Sequence, residues 1–287
     1  MTFSLGVRIL ALSLASFALF AAPKPKAKSA KPKVVREAKL MLRSSSVLVL
    51  DQATGQTLVD KQSSNVVPIA SLTKLMTAMV LLDAHLDPRE PISITAEDKD
   101  ELRHSHSRLP VGTHLLREEA LMLALLASEN RAAHALGRTF PGGLTAFVAA
   151  MNRKATALGL SRAHFEDPTG LSAHNVATAR DLALILNAAC AYPEIRDFST
   201  RREASIQSGR RAIAFPNTNA LVRNPRWSIG LSKTGYIEEA GRCLAMQVQM
   251  ANRTVLVVLL DSWGKYSRLG DAARIKQWLE ARLAGRG

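Results

Sequence analysis

The chain has 287 residues, 47% of them hydrophobic, and a formal net charge of +14. That length supplies one large domain or two small ones, and the apolar share describes a globular protein with a real core rather than a disordered chain. Two cysteines, Cys190 and Cys243, are too few for a disulfide framework, and the low aromatic content of 5% leaves burial mostly to Leu, Ala, Val, Ile and Met.

The first 22 residues read as a secretory signal. Arg8 is their only charge, and it precedes the apolar run Ile9 to Ala22, which ends in small residues. The run is short for a membrane span and suits a signal core; the alternative is an uncleaved anchor. Cleavage after Ala21 or Ala22 leaves Leu19 or Phe20 at the −3 position, an imperfect pattern.

Residues 23 to 42 form a Lys/Pro/Ala linker. Lys24, Lys26, Lys28, Lys31, Lys33, Arg36 and Lys39 stand against Glu37, a net of +6, and Pro23, Pro25 and Pro32 keep it extended. Such a tail suits a solubilising spacer or weak contact with an anionic membrane or wall polymer. Nucleic acid is not an expected partner, because an exported chain rarely meets it.

Beyond residue 43 the pattern is β, then α, then β. Ser46 to Asp51 and Gln56 to Asp60 read as a hairpin around Ala53-Thr54-Gly55. A buried helix is expected from about Ser71 to Ala84, and helices at Arg117 to Ala127, Arg131 to Leu136, Gly143 to Leu158 and Thr178 to Ala189. The Thr178 helix carries Asp at its third position, a variant of the capping box. A turn-rich loop, Phe165 to Leu171, interrupts this block. Strands return at Arg211 to Phe215, Ile229 to Thr234, Cys243 to Met250 and Thr254 to Leu260, with Asn252-Arg253 as a hairpin turn. A closing helix spans 268 to 283, with Ala272, Ile275, Trp278, Leu279 and Leu283 on one side. The expected fold class is α+β: one antiparallel sheet joining the two ends of the chain, the last helix on one face and a helical subdomain, about residues 71–190, on the other. Cys190 and Cys243 fall in different elements and read as two separate buried thiols, although an oxidising compartment would allow pairing.

Three motifs carry chemistry: Ser71-Leu72-Thr73-Lys74, Ser128-Glu129-Asn130 and Lys233-Thr234-Gly235. Ser71 and Lys74, three apart at a helix start, share a face. A neutral amine within reach can take the serine proton during attack, and burial or a neighbouring cation such as Lys233 lowers a lysine far enough to be neutral. The Ser71 amide at the helix start can donate to a developing oxyanion. Gly235 permits close backbone approach. Each motif is weak alone. Ser262-Trp263-Gly264-Lys265 and Ser63-Ser64-Asn65 imitate two of them, but in the wrong setting or order. Lys-Thr-Gly occurs once.

These motifs and their flanks resemble the penicillin-binding proteins and serine β-lactamases. Ile69 to Ala78, Ser128-Glu129-Asn130-Arg131-Ala132, Pro141-Gly142-Gly143, Asp167 to Ser172 and Leu231 to Tyr236 are similar to the low-molecular-mass D-alanyl-D-alanine peptidases, and the likeness over about 43 to 283 points to their endopeptidase branch, penicillin-binding protein seven. The resemblance implies a β-lactamase/transpeptidase-like fold with its catalytic domain at 43–287. It implies that Ser71 is acylated, Lys74 is the base, Ser128 relays a proton to the leaving amine and Asn130 contacts the substrate amide. Lys233 and Thr234 would hold a carboxylate, the amides of Ser71 and Tyr236 would form the oxyanion hole, and Glu129 would be structural or exposed. Glu166 is the tempting deacylating carboxylate, but Glu-x-x-Leu-Asn is absent. The expected reaction is cleavage of D-alanyl cross-links in peptidoglycan, with β-lactams as covalent inhibitors and no cofactor. The motifs equally suit a D-alanyl-D-alanine carboxypeptidase. A third reading is a vestigial wall-binding scaffold. The chain stops about fifty residues after Gly235, without the further domain and terminal helix of anchored carboxypeptidases, so a periplasmic enzyme with no C-terminal anchor is expected. His104, His106 and His114 lack a metal-binding pattern and read as surface residues, and nothing in the sequence brings His134 to Ser71.

Overall fold

The structure, a computed structural model, describes residues 1–2 and 40–284. The expected signal and most of the linker lie outside those residues, as does any account of the Leu283 side chain. Leu40 and Leu42, placed at the linker's end from sequence, are half-buried against the sheet.

The chain runs β1 (Ser44–Asp51), β2 (Thr57–Lys61), β3 (Val67–Pro68), a 3-10 turn Ala70–Thr73, α1 (Lys74–Asp83), β4 (Pro91–Ser93), β5 (His114–Leu116), α2 (Arg117–Leu126), α3 (Asn130–Arg138) and α4 (Gly143–Ala157). It continues through β6 (Val176–Ala177), α5 (Ala179–Ala189), α6 (Pro193–Thr200), β7 (Glu203–Ser208), β8 (Arg211–Pro216), β9 (Ile229–Ile237), β10 (Gly241–Met250), β11 (Arg253–Ser262) and α7 (Ser267–Ala284). The main sheet is antiparallel in the order β2-β1-β11-β10-β9.

Both faces of that sheet are covered, which explains the continuous apolar run of β11. Val47 and Val49 of β1, Leu244 and Met246 of β10, and Val255, Val257 and Leu259 of β11 face Ala272, Ile275 and Leu279 of α7. The alternate residues, Leu48, Ala245, Leu256, Val258 and Leu260, join the core formed by the helices. The α+β layering expected from sequence is therefore the one observed. Cys190 and Cys243 are both free thiols; Cys243 is buried and Cys190 only half-buried, a partial departure from the expected pair of buried groups.

Several boundaries differ from expectation. The helix expected from Ser71 begins at Lys74, because the preceding turn is 3-10 and Ala70 takes φ +48°. Lys-Thr-Gly does not end its strand: β9 continues to Ile237, since Gly235 and Tyr236 still pair with Cys243 and Arg242 of β10. The β10–β11 turn is Ala251-Asn252, both at positive φ, one residue earlier than Asn252-Arg253. Short α6 and strand β7 escaped the sequence pattern, because α6 buries chiefly Ile195 and Phe198, and β7 buries Ile206 alone.

Candidate active site

Ser71 sits in the 3-10 turn and Lys74 one residue beyond it, so both side chains emerge on one face. Lys74 is 1% exposed and its Nζ donates to Ser71 Oγ at 2.9 Å, Asn130 Oδ1 at 2.8 Å and the Thr169 carbonyl at 2.6 Å. Burial drives the Lys74 ammonium down to about 7, against the pull of Asp167, Glu129 and Asp100. The cationic neighbour proposed from sequence is not the main agent; desolvation is.

Ser128 and Asn130 occupy the sharp corner between α2 and α3. Ser128 has φ +59°, and the Glu129 carboxylate caps α3 by accepting from the Arg131 amide at 3.1 Å. Glu129 is buried and also accepts from Ser107 Oγ at 2.7 Å, so the middle residue of the motif holds the corner. Lys233 projects from β9 and donates to Ser128 Oγ and to the Thr234 carbonyl, both at 2.9 Å. It too is 1% exposed. Burial first, then the charges of Lys74 and Arg268, push it well below the usual lysine range. Two lysine amines therefore share one buried space, and the charge of Lys74 disfavours that of Lys233.

Gly235 makes the assembly of sheet and turn possible. A Cβ there would stand 3.1 Å from Ala70 Cβ, the Ile69 carbonyl and the Ser71 amide nitrogen. Gly170 grips the same turn from the other side, at φ +79°, where a Cβ would come within 2.0 Å of the Ala70 carbonyl oxygen. The loop carrying Gly170 is wound around Asp167, whose Oδ1 accepts from the Thr169 amide (2.6 Å), the Thr169 hydroxyl (2.5 Å) and the Gly170 amide (2.8 Å). Its Oδ2 accepts from the Ser172 amide at 2.9 Å and Asn175 Nδ2 at 2.8 Å. This winding aims the Thr169 carbonyl at Lys74.

The structure thus brings Ser71, Lys74, Asn130, Ser128, Lys233 and Gly235 into one cleft. Thr234 is buried and donates to Thr218 Oγ1 at 2.7 Å, while Tyr236 is 56% exposed with Arg242 stacked 4.5 Å from its ring. Glu166 turns outward to Ser172 Oγ and His174 Nδ1, at 2.8 and 3.0 Å. His104, His106 and His114 are exposed, and His134 pairs with Asp98 at 2.8 Å. A groove of about 400 Å³ opens beside Asn130 and Thr169, walled partly by Asp100, Glu101 and Leu171.

Sequence reasoning missed three participants. The Thr169 carbonyl is a backbone group and has no side-chain signature. Thr218 lies in an unpatterned segment and is held at the site by its amide, which donates to the Leu126 carbonyl at the end of α2, and by the bonds of Asn217 and Asn219 on either side. Arg268, in the first turn of α7, has Nε and Nη1 buried without a hydrogen-bond partner. Burial and Arg242 hold it below the usual arginine range, and its charge bears on Lys233.

A serine hydrogen-bonded to a depressed lysine, on this two-faced sheet beside a helical subdomain, defines a serine peptidase of the penicillin-binding class. A family model described as D-alanyl-D-alanine carboxypeptidase matches residues 32–263, and the chain belongs to that family of serine D-Ala-D-Ala peptidases. It is 44% identical to the D-alanyl-D-alanine endopeptidase of Pseudomonas aeruginosa over 279 residues, covering 96% of this chain and 87% of that protein. It is 42% identical to the D-alanyl-D-alanine endopeptidase of Escherichia coli over 241 residues, 83% of this chain and 78% of that one. Among solved structures it is similar to the Streptomyces K15 DD-transpeptidase, with a TM-score of 0.79 and 26% identity, covering 85% of this chain and 99% of that one.

Proposed function

We propose that this protein is a serine D,D-endopeptidase that opens D-alanyl cross-links of peptidoglycan through an ester on Ser71. The observation that carries the reading is the Lys74–Ser71 hydrogen bond inside a buried pocket that lowers Lys74 to about 7. A neutral Lys74 has two N–H groups, enough for Asn130 Oδ1 and the Thr169 carbonyl. Its lone pair is then left for the Ser71 proton. Attack on the D-alanyl carbonyl places negative charge near the Ser71 and Tyr236 amides, which stabilise it as an oxyanion hole. Ser128, joined to Lys233, hands a proton to the leaving amine, and water later releases the acyl group. Lys233, Thr234 and Arg268 hold the substrate carboxylate, and an anion there restores the charge that burial disfavours on Lys233. β9 is a sheet edge, so an extended peptide can lie along it as an added strand.

The choice of endopeptidase over carboxypeptidase is supported by the names of two relatives at 44% and 42% identity. A periplasmic location, with the basic linker touching an anionic membrane or wall, belongs to the same proposal; among the described residues no helix is long and apolar enough to cross a membrane. Glu166 is engaged with Ser172 and His174, so a penicilloyl ester is expected to persist.

Labelled penicillin should acylate the protein, and Ser71→Ala should abolish the label. Purified cross-linked muropeptide dimers should then yield monomers. Free D-alanine without loss of dimers would replace the endopeptidase with a carboxypeptidase, and no acylation of the wild type would favour a wall-binding scaffold.

A further inference from the structure

The Asn130 amide can face Lys74 with its oxygen or its nitrogen, and only the first gives Lys74 an acceptor. The observed orientation puts Oδ1 on Lys74 at 2.8 Å and sends Nδ2 to Ser105 Oγ at 2.9 Å. Ser105 belongs to the loop of residues 99–112, which packs over the corner bearing Ser128 and Asn130. Its amide donates to Asp100 Oδ2 at 2.9 Å, and Asp100 Oδ1 accepts from the amides of Leu102 and Arg103, at 3.0 and 2.9 Å. Burial pushes the Asp100 carboxyl up, but hydrogen bonds from this loop outweigh it and leave it below the usual range. The Ser105 oxygen accepts from Asn130 Nδ2, the only direction in which an amide NH2 can bond. The loop is also anchored by Arg103, which donates to the Leu171 carbonyl at 2.5 Å and pairs with Glu239 at 2.9 Å.

We infer that Ser105 is a positioning residue whose hydroxyl fixes the Asn130 amide with its oxygen toward Lys74 and one N–H free for the substrate. The substrate clause rests on the peptidase reading; the orientation does not. Turning the amide over would set donor against donor at Lys74 and disfavour its ammonium form further. The other charged groups facing Lys74 are Asp167 from its loop, Glu129 from the corner, Asp100 from the 99–112 loop and Lys233 from β9. Ser105→Ala removes the charge of none of them.

The test compares Ser105→Ala, Ser105→Thr and Ser107→Ala. Ser107 staples the same loop to Glu129 but does not touch the amide. Two quantities are read: the acylation rate constant with labelled penicillin, and the Lys74 titration followed by its 13Cε shift in the intact protein. Ser105→Ala should slow acylation by roughly threefold to tenfold, the worth of one net hydrogen bond, and move the Lys74 midpoint to lower pH. Ser105→Thr should restore both. Ser107→Ala, which loosens the loop at Glu129, should lower the melting temperature and move both values less than Ser105→Ala does. An unchanged Lys74 midpoint in Ser105→Ala, or an equal shift in Ser107→Ala, would overturn the inference. A wild type that takes no label would remove the peptidase reading, and the Lys74 titration would still decide the positioning.

Discussion

At the scale of single residues, Lys74 ties reactivity to instability. Its amine must be neutral to act as a base, so the acylation rate should climb between pH 6 and 8 with a midpoint near 7. Stability should follow the same proton. The folded state releases it near 7 and the unfolded chain near the usual lysine value of about 10.4. The unfolded state therefore binds more protons across that window, and stability gained from this site should rise with pH through it. Lys74→Met should abolish acylation, flatten that slope and raise the melting temperature most at pH 6. Arg268 presents the same conflict with a charge that cannot be shed. Arg268→Met should raise the melting temperature by removing a side chain whose Nε and Nη1 are buried without a partner, while weakening capture of carboxylate-bearing substrates in KM more than in kcat. Ser71, Lys74 and Lys233 were legible in the sequence because side-chain identity and spacing carry their chemistry. The Thr169 carbonyl was not, because every residue has one.

At the scale of elements, the site depends on two glycines pressing one turn from opposite sides. Gly235→Ala must push β9 from the Ser71 turn by a few tenths of an ångström, since the contact is 3.1 Å. It should cost about 1–3 kcal/mol in stability and, by misplacing the proposed oxyanion donors, lower acylation by roughly 10- to 100-fold. Gly170→Ala should do worse, with a Cβ 2.0 Å from a backbone oxygen and a positive φ to maintain; a loop displaced from Lys74 is the expected result, visible as lost acylation and early proteolysis at 165–175. The elements most legible in the sequence were those buried along a clear period. These include α4, which ends one residue short of expectation, and α5, whose Thr178–Asp181 capping box is present. The α1 start was misjudged because tertiary contacts from Gly170 and Gly235 tighten it into a 3-10 turn. The sequence pattern ends β9 at Thr234, yet its partner strand is long enough to continue the ladder to Ile237.

At the scale of the whole molecule, the first described strand is tied to the last helix through one carboxylate. Asp271 of α7 accepts from the Arg43 amide at 3.1 Å, from the Ser44 amide at 2.7 Å and from Ser44 Oγ at 2.6 Å, and pairs with Arg274. Burial raises its pKa, but these bonds win and leave it lowered. Asp271→Asn should destabilise by about 1–3 kcal/mol at pH 7. The gap to wild type should close as pH falls below about 4, because a depressed carboxyl stabilises only while it is ionised. By itself the sequence determined the order of the main-sheet strands and of most helices, the two-faced burial of β11 and the residue types of the candidate catalytic set, since each is written in local period or side-chain chemistry. Tertiary structure alone decided that Ser71, Ser128 and Lys233 share a cleft, and that Lys74 loses its charge mainly to burial. It also decided that Ser105, Thr218 and Arg268 stand around them. Those outcomes depend on distances between segments far apart in the chain, and desolvation exists only once the other segments have closed over the site.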